Sequence, residues 1–125
     1  MCSIVIELDI GFPARITREV SSGELPDVYL GLRGEDSPTF TWNNLGDQVL
    51  IVTVDDESST VSMLNDDTWY YLEISEDEDE IEVRVEGAMT PVPRGVVLPR
   101  NLGLEVLQKA DDFDRVLSEY SWRLQ

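Results

Sequence analysis

The sequence predicts an α+β domain: an antiparallel β-meander sheet with a C-terminal helix packed on one face. Three observations carry this. The middle of the chain is a series of short segments in which apolar and polar residues alternate, the period of strands with one buried face. Connections of three to five residues join them, a length that suits hairpins and favours antiparallel neighbours. Past residue 100 the period changes, because Leu102, Val106, Ala110, Phe113, Leu117 and Tyr120 lie four, four, three, four and three apart, a stripe that only a helix produces.

Taken in order, Ile4, Ile6 and Leu8 alternate with Val5, Glu7 and Asp9 in an opening strand, and Gly11 to Pro13 turns the chain. Ala14 to Val20 and Asp27 to Arg33 alternate as well, the second through Val28, Leu30 and Leu32. Separated by Ser21-Ser22-Gly23 and a proline, they read as a hairpin. Gly34 to Pro38 is a polar loop leading to Thr39-Phe40-Thr41-Trp42, and Asn43 to Gly46 turns into the strongest strand, Gln48 to Val54. The meander continues through Ser59 to Leu64, Thr68 to Ile74 and Glu80 to Val85. Gly87 to Pro99 holds three prolines and no period, so it is expected to cross the sheet or follow its edge. Asn101 is the expected helix N-cap. The Asp111-Asp112-Phe113-Asp114 cluster either splits the stripe into two helices or lets Tyr120 to Leu124 leave as a strand. No repeat or linker divides residues 1–125, which form one domain of a size that can bury a core without staples.

Composition narrows function. The 125 residues include 26 acidic and 9 basic side chains and no histidine, a formal charge of -17. Nucleic acids and anionic lipid surfaces draw their binding from Lys and Arg, so neither is expected as a direct partner. Without histidine, Ser-His-Asp, Cys-His and His-ligated zinc sites are excluded. The hydrophobic fraction of 42% separates the chain from disordered acidic proteins. Cys2 is the single cysteine, which excludes an internal disulfide. The opening MCSIVIELDIGF has no basic stretch and carries Glu7 and Asp9 within its apolar run, so the expectation is a cytoplasmic protein without secretory signal or membrane span.

Candidate chemistry is sparse. The run Glu76-Asp77-Glu78-Asp79-Glu80 lacks the glycine and the distal glutamate of a calcium loop. It reads either as a solvated hairpin tip that blocks edge pairing or as part of a negative docking surface. Alternate connections of a meander leave at the same end, so Asp55, Asp56 and Glu57 are expected beside Glu76, Asp77, Glu78 and Asp79, with Asp66 and Asp67 at the other end. A glycosidase pair needs a carboxyl group in an apolar cleft, whereas these clusters lie on polar turns. Gly31, Gly34 and Gly46 lack the spacing of a phosphate loop, and Ser21, Ser58 and Ser118 have no base. The expectation is a non-enzyme with no cofactor and no metal. On a strand, Tyr70 shares a face with Leu72 and Ile74, while Trp69 and Tyr71 face the other way with Glu73. Trp69 and Tyr71 are either covered by the helix or serve as anchors for a basic partner through burial and cation–π contact. Trp42 and Trp122 carry the same two readings.

The segments FTWNNLGDQVLIVTVDD, STVSMLNDDTWYYLEIS and LPRNLGLEVLQKADDF followed by YSW resemble the Imm1-type immunity proteins of bacterial polymorphic toxin systems. The resemblance covers roughly residues 38–125, and Trp42 and Trp122 occupy matching positions. It implies a protein that binds a cognate toxin domain, often a nucleic-acid deaminase or nuclease, and blocks its active site in the producing cell; the chain itself is expected to be a monomer before complex formation. A charge of -17 agrees with that, since a toxin acting on DNA or RNA presents a basic channel toward which an acidic inhibitor is steered. The expected contacts are Asp55, Asp56, Glu57, Trp69, Tyr71, Glu76, Asp77, Glu78 and Asp79. The competing expectation is an acidic interaction or regulatory domain unrelated to toxins.

Overall fold

The computed structural model describes residues 4–11, 14–33, 38–44, 48–85 and 88–125, with backbone alone at 7–11, 14–16 and 85. The expected turns at Gly11–Pro13 and Asn43–Gly46 and the loop at Gly34–Pro38 lie partly or largely outside these residues. The described chain is an α+β fold. Strands β1 (Ile4–Gly11) and β2 (Ala14–Val20) precede helix α1 (Leu25–Gly31). Strands β3 (Thr39–Asn43), β4 (Gln48–Val54), β5 (Ser58–Asn65) and β6 (Thr68–Glu73) follow. A hairpin, β7 (Glu80–Val85) and β8 (Ala88–Pro93), leads through a 3-10 turn (Arg94–Val96) to the short β9 (Leu98–Pro99). Helices α2 (Arg100–Gln108) and α3 (Phe113–Glu119) and strand β10 (Ser121–Leu124) complete it.

Among the described residues the main sheet runs β10-β6-β5-β4-β3-β1-β2, with β9 also pairing β5. Its pairs are antiparallel. The alternation visible in the sequence sets its faces. Ile4, Ile6, Phe40, Leu50, Val52, Val61 and Leu72 all belong to one buried cluster, which the three helices close with Tyr29, Leu104, Val106, Leu107, Phe113 and Val116. On the other face the β7–β8 hairpin lays Val83 and Val92, with Val96, against Tyr71. The domain thus has helices on one side of the sheet and a hairpin over part of the other.

Three expectations are corrected. Asp27 to Arg33 is not a strand: Leu25–Gly31 is helical, and Leu30, assigned to a core face by alternation, is 54% exposed. Leu25, Val28, Tyr29 and Leu32 instead form the inward stripe at spacings of three, one and three. The turn into α1 is locked by a reciprocal cap, with Ser21 N donating to Glu24 Oε1 at 2.9 Å and Glu24 N to Ser21 Oγ at 3.3 Å. Second, the meander stops at β6. β7 pairs with β8 and not with β6, whose far side is taken by β10 through Trp122↔Leu72 and Arg123↔Tyr71. Third, Asn101 is not the N-cap. β9 runs directly into α2 with Pro99 as the capping residue at φ −54° and ψ 142°, so the helix begins at Arg100 and Asn101 lies inside its first turn.

The stripe from Leu102 to Tyr120 does break into two helices, and residues 121–124 do leave as a strand. Both alternatives at the Asp111–Asp114 cluster are realised in the same segment.

Candidate functional site

The β4–β5 turn (55–57) and the segment 74–79 that leaves β6 emerge at the same end of the sheet, because β5 and β6 are antiparallel neighbours. They are not side by side. β9 pairs Ser58↔Pro99 and Ser59↔Leu98, filling the position beside β5 that a longer β6 would have occupied. Asp66 and Asp67 lie at the opposite end, in the two-residue turn bracketed by Asn65↔Thr68, both with positive φ of 54° and 63°.

The expected hairpin tip at 76–79 is a strap. Gly95 N donates to Asp77 O at 3.0 Å, Arg94 N to Asp79 O at 2.7 Å and Ile74 N to Gly95 O at 2.8 Å, so the run is laid along the 3-10 turn. The Asp77 carboxylate accepts Asp79 N at 3.0 Å and stands 3.9 Å from Arg94 Nη1. Glu76, Glu78 and Asp79 are exposed, as are Asp56 and Glu57. Asp55 is partly buried, with Oδ1 accepting Asp56 N at 2.9 Å.

The aromatic residues separate. Tyr71 and Trp69 do face away from the helices, but Tyr71 is packed under the β7–β8 hairpin. Trp69, 37% exposed, is the second residue of β6, four residues and thus roughly 13 Å before Glu73. It belongs with the Asp66–Asp67 turn and not with the two acidic connections. Trp42 is core, 2% exposed, stacked on Phe113 with centroids 5.4 Å apart and donating Nε1–H to Asp111 Oδ1 at 3.1 Å. Trp122 is partly buried against the same core and donates to Val116 O at 3.4 Å.

Two features were not foreseen. One is an anchor beneath the helices. Arg100 Nε donates to Asp55 O at 3.1 Å and Nη2 to Tyr29 O at 3.1 Å and to Leu32 O, so one guanidinium joins the end of α1, the β4–β5 turn and the start of α2. It also lies 5.5 Å from the Tyr29 ring centroid. Tyr29 is fully buried and donates its hydroxyl to Arg100 O, and burial pushes its phenol up to about 12. Such a tyrosine is a fixed donor, not a proton shuttle.

The other is a cleft of about 610 Å³ where the β1–β2 ribbon, the 20–25 turn and the C-terminal end of α2 meet. Val20, Leu25, Trp42 and Leu107 are buried and form its floor, while Glu19, Ser22, Glu24, Gln108 and Asp111 stand exposed on its rim. Arg18, outside the lining, reaches Glu24 Oε2 with its Nη2 at 3.2 Å. The end of α2 adds the partial negative charge of its carbonyls to the side of the rim that Gln108 and Asp111 occupy. The segments that build the cleft lie up to 107 residues apart, from Ile4 to Asp111, so no local pattern could have announced it.

Among the described residues no three metal-ligating side chains converge, and no helix is long and apolar enough to cross a membrane. Compared with known proteins, the chain matches no family model and no curated protein.

Proposed function

We propose that the protein is a cytoplasmic, non-catalytic immunity protein that binds a cognate bacterial toxin domain, a nucleic-acid deaminase or nuclease, and occludes its basic active-site cleft. The observation that carries the reading is the charge of -17 held on a folded domain with exposed carboxylates on two connections at one end of its sheet. Asp55, Asp56, Glu57, Glu76, Asp77, Glu78 and Asp79 supply a field that steers a basic partner. Of the two aromatic residues in this reading, Trp69 offers a contact at the Asp66–Asp67 end of the sheet, apart from the acidic connections, while Tyr71 lies under the β7–β8 hairpin and supports it from beneath.

The monomer is titrated with the toxin domain encoded beside its gene, at low and high salt, with toxin activity followed in parallel. The expected result is a one-to-one complex that loses toxin activity and weakens as salt rises. No complex at low salt removes the reading and leaves an acidic interaction domain unrelated to toxins. The same conclusion follows if the complex forms without inhibition.

A further inference from the structure

We propose that the cleft at the end of α2 anchors the basic partner by taking an arginine- or lysine-bearing apolar segment. Its cation sits at the rim formed by Glu19, Glu24 and Asp111, with its aliphatic stem over Leu25, Trp42 and Leu107. This rests on the basic-partner reading above and adds where that partner is held.

Three observations select this cleft over the acidic connections. Its volume falls in the range of roughly 300–1,000 Å³ typical of ligand pockets, enough for more than one side chain. Its lining mixes apolar with polar surface beneath an acidic rim, a combination that suits an amphipathic cation, whose stem seeks apolar surface and whose head seeks charge. Third, Glu24 on the rim already pairs with a guanidinium from outside the lining, that of Arg18, both side chains about half exposed, so this carboxylate is oriented for such a group. At the other end of the molecule, Asp56, Glu57, Glu76, Glu78 and Asp79 stand exposed on two connections. Exposed charge of that kind is screened and acts mainly on association rate, whereas a concave apolar anchor lengthens residence.

The test uses the intact protein, labelled with nitrogen-15, and two synthetic peptides of equal positive charge, one alternating Arg with Leu and one alternating Arg with Ser. The three Trp indole resonances are followed, with Trp42 assigned from Trp42→Phe. The Arg-Leu peptide is expected to shift the Trp42 indole saturably and to bind more tightly than the Arg-Ser peptide. Asp111→Asn, which keeps an acceptor for Trp42, is expected to weaken it on the order of tenfold. Arg18→Ala, which releases Glu24, is expected to tighten it about threefold. Glu76→Gln with Asp77→Asn is expected to change affinity less than about twofold at physiological salt. Thermal melts verify that each variant is folded.

Shifts confined to residues 55–57 and 76–79, equal binding of the two peptides, or an unmoved Trp42 at millimolar peptide each overturn the cleft as anchor. So does a Trp42 shift that follows protein concentration alone, which identifies a second copy as the occupant. A toxin complex that forms normally with Asp111→Asn and Glu19→Lys, with unchanged dissociation rate, removes this inference and leaves the proposed function standing. Absence of any toxin complex removes the proposed function itself.

Discussion

Trp42 and Asp111 are joined by one hydrogen bond, indole Nε1–H to Oδ1 at 3.1 Å, across 69 residues of chain. Trp42 lies on the buried face of β3, one residue before its end, and Asp111 on the turn between α2 and α3. The indole has one donor, and Asp111 accepts it. Asp111→Ala is therefore expected to cost about 1–2 kcal/mol by leaving that donor without a partner, while Asp111→Asn stays close to the parent. Urea denaturation of both variants checks this. Equal loss in the two would show that the charge of Asp111, not its acceptor, matters to stability.

Arg100 serves three carbonyl oxygens on two separate segments, which a lysine ammonium on a flexible stem cannot reproduce. Arg100→Lys keeps the charge and is expected to destabilise the fold by about 2–3 kcal/mol. A midpoint of chemical denaturation unchanged from the parent would contradict the role.

Gly103 lets α2 approach the sheet. A Cβ there would stand 2.5 Å from Tyr29 Oη and 2.7 Å from Val52 Cγ1, both in the packed interior. Helix propensity alone favours Gly103→Ala by about 1 kcal/mol. Overpacking costs about 1–3 kcal/mol, so the net expectation is destabilisation. A rise in melting temperature would show that α2 can move outward freely.

The Asp66–Asp67 turn has the opposite balance. Both residues hold positive φ in a two-residue hairpin, the conformation that favours Asn-Gly. Asp67→Gly relieves a side chain in the left-handed region, φ 63°, and is expected to stabilise by about 0.5–1 kcal/mol, read as a higher melting temperature. An unchanged or lower value would mean that the aspartate makes a compensating contact.

Alkaline pH titrates the interior. The Tyr29 phenol, ordinarily near 10, is pushed to about 12 by burial, so the folded state holds its proton more firmly than the unfolded chain. Its stability is fully present below pH 10 and is lost as pH rises through about 12. Lys109 adds in the same direction. Its hydrogen bonds to Glu119 and then Tyr120 raise it above its usual value, and that contribution fades as pH climbs through the raised one. Stability measured against pH is expected to fall from about pH 10 upward, and Tyr29→Phe to flatten the decline. A decline of equal slope in that variant would place the alkaline sensitivity elsewhere.

The strands from Gln48 to Glu73 and their faces were legible because they depend on period alone, whereas β8, within the segment Gly87 to Pro99 expected to be an extended connection, was hidden by its prolines, Pro91 and Pro93. Trp69 and Tyr71 fall opposite Tyr70 and Leu72 in the fold, as parity required. The helix at 25–31 was misread because Val28, Leu30 and Leu32 satisfy a two-residue period over a segment too short to exclude it. The decisive signals were local but of another kind, the Ser21–Glu24 reciprocal cap and Pro26 in the first turn. The replacement of β7 by β10 beside β6 was not legible at all. It depends on which distant strand wins an edge, and both β7 and β10 have strand patterns. The cleft is a product of that same long-range assembly, as is the Arg100 anchor.

Arg100 also governs how the molecule meets salt. Its described partners are backbone carbonyls inside the protein, dipoles that neither titrate nor attract counterions, so added electrolyte leaves that anchor intact. The surplus carboxylates outside respond in the other sense: screening relieves their mutual repulsion and firms the scaffold. Any cationic partner is released by the same ions. If the proposed cationic partner is bound, ionic strength acts with two opposite slopes, tightening the fold while loosening the complex, and a salt series read on both coordinates separates the framework from the binding.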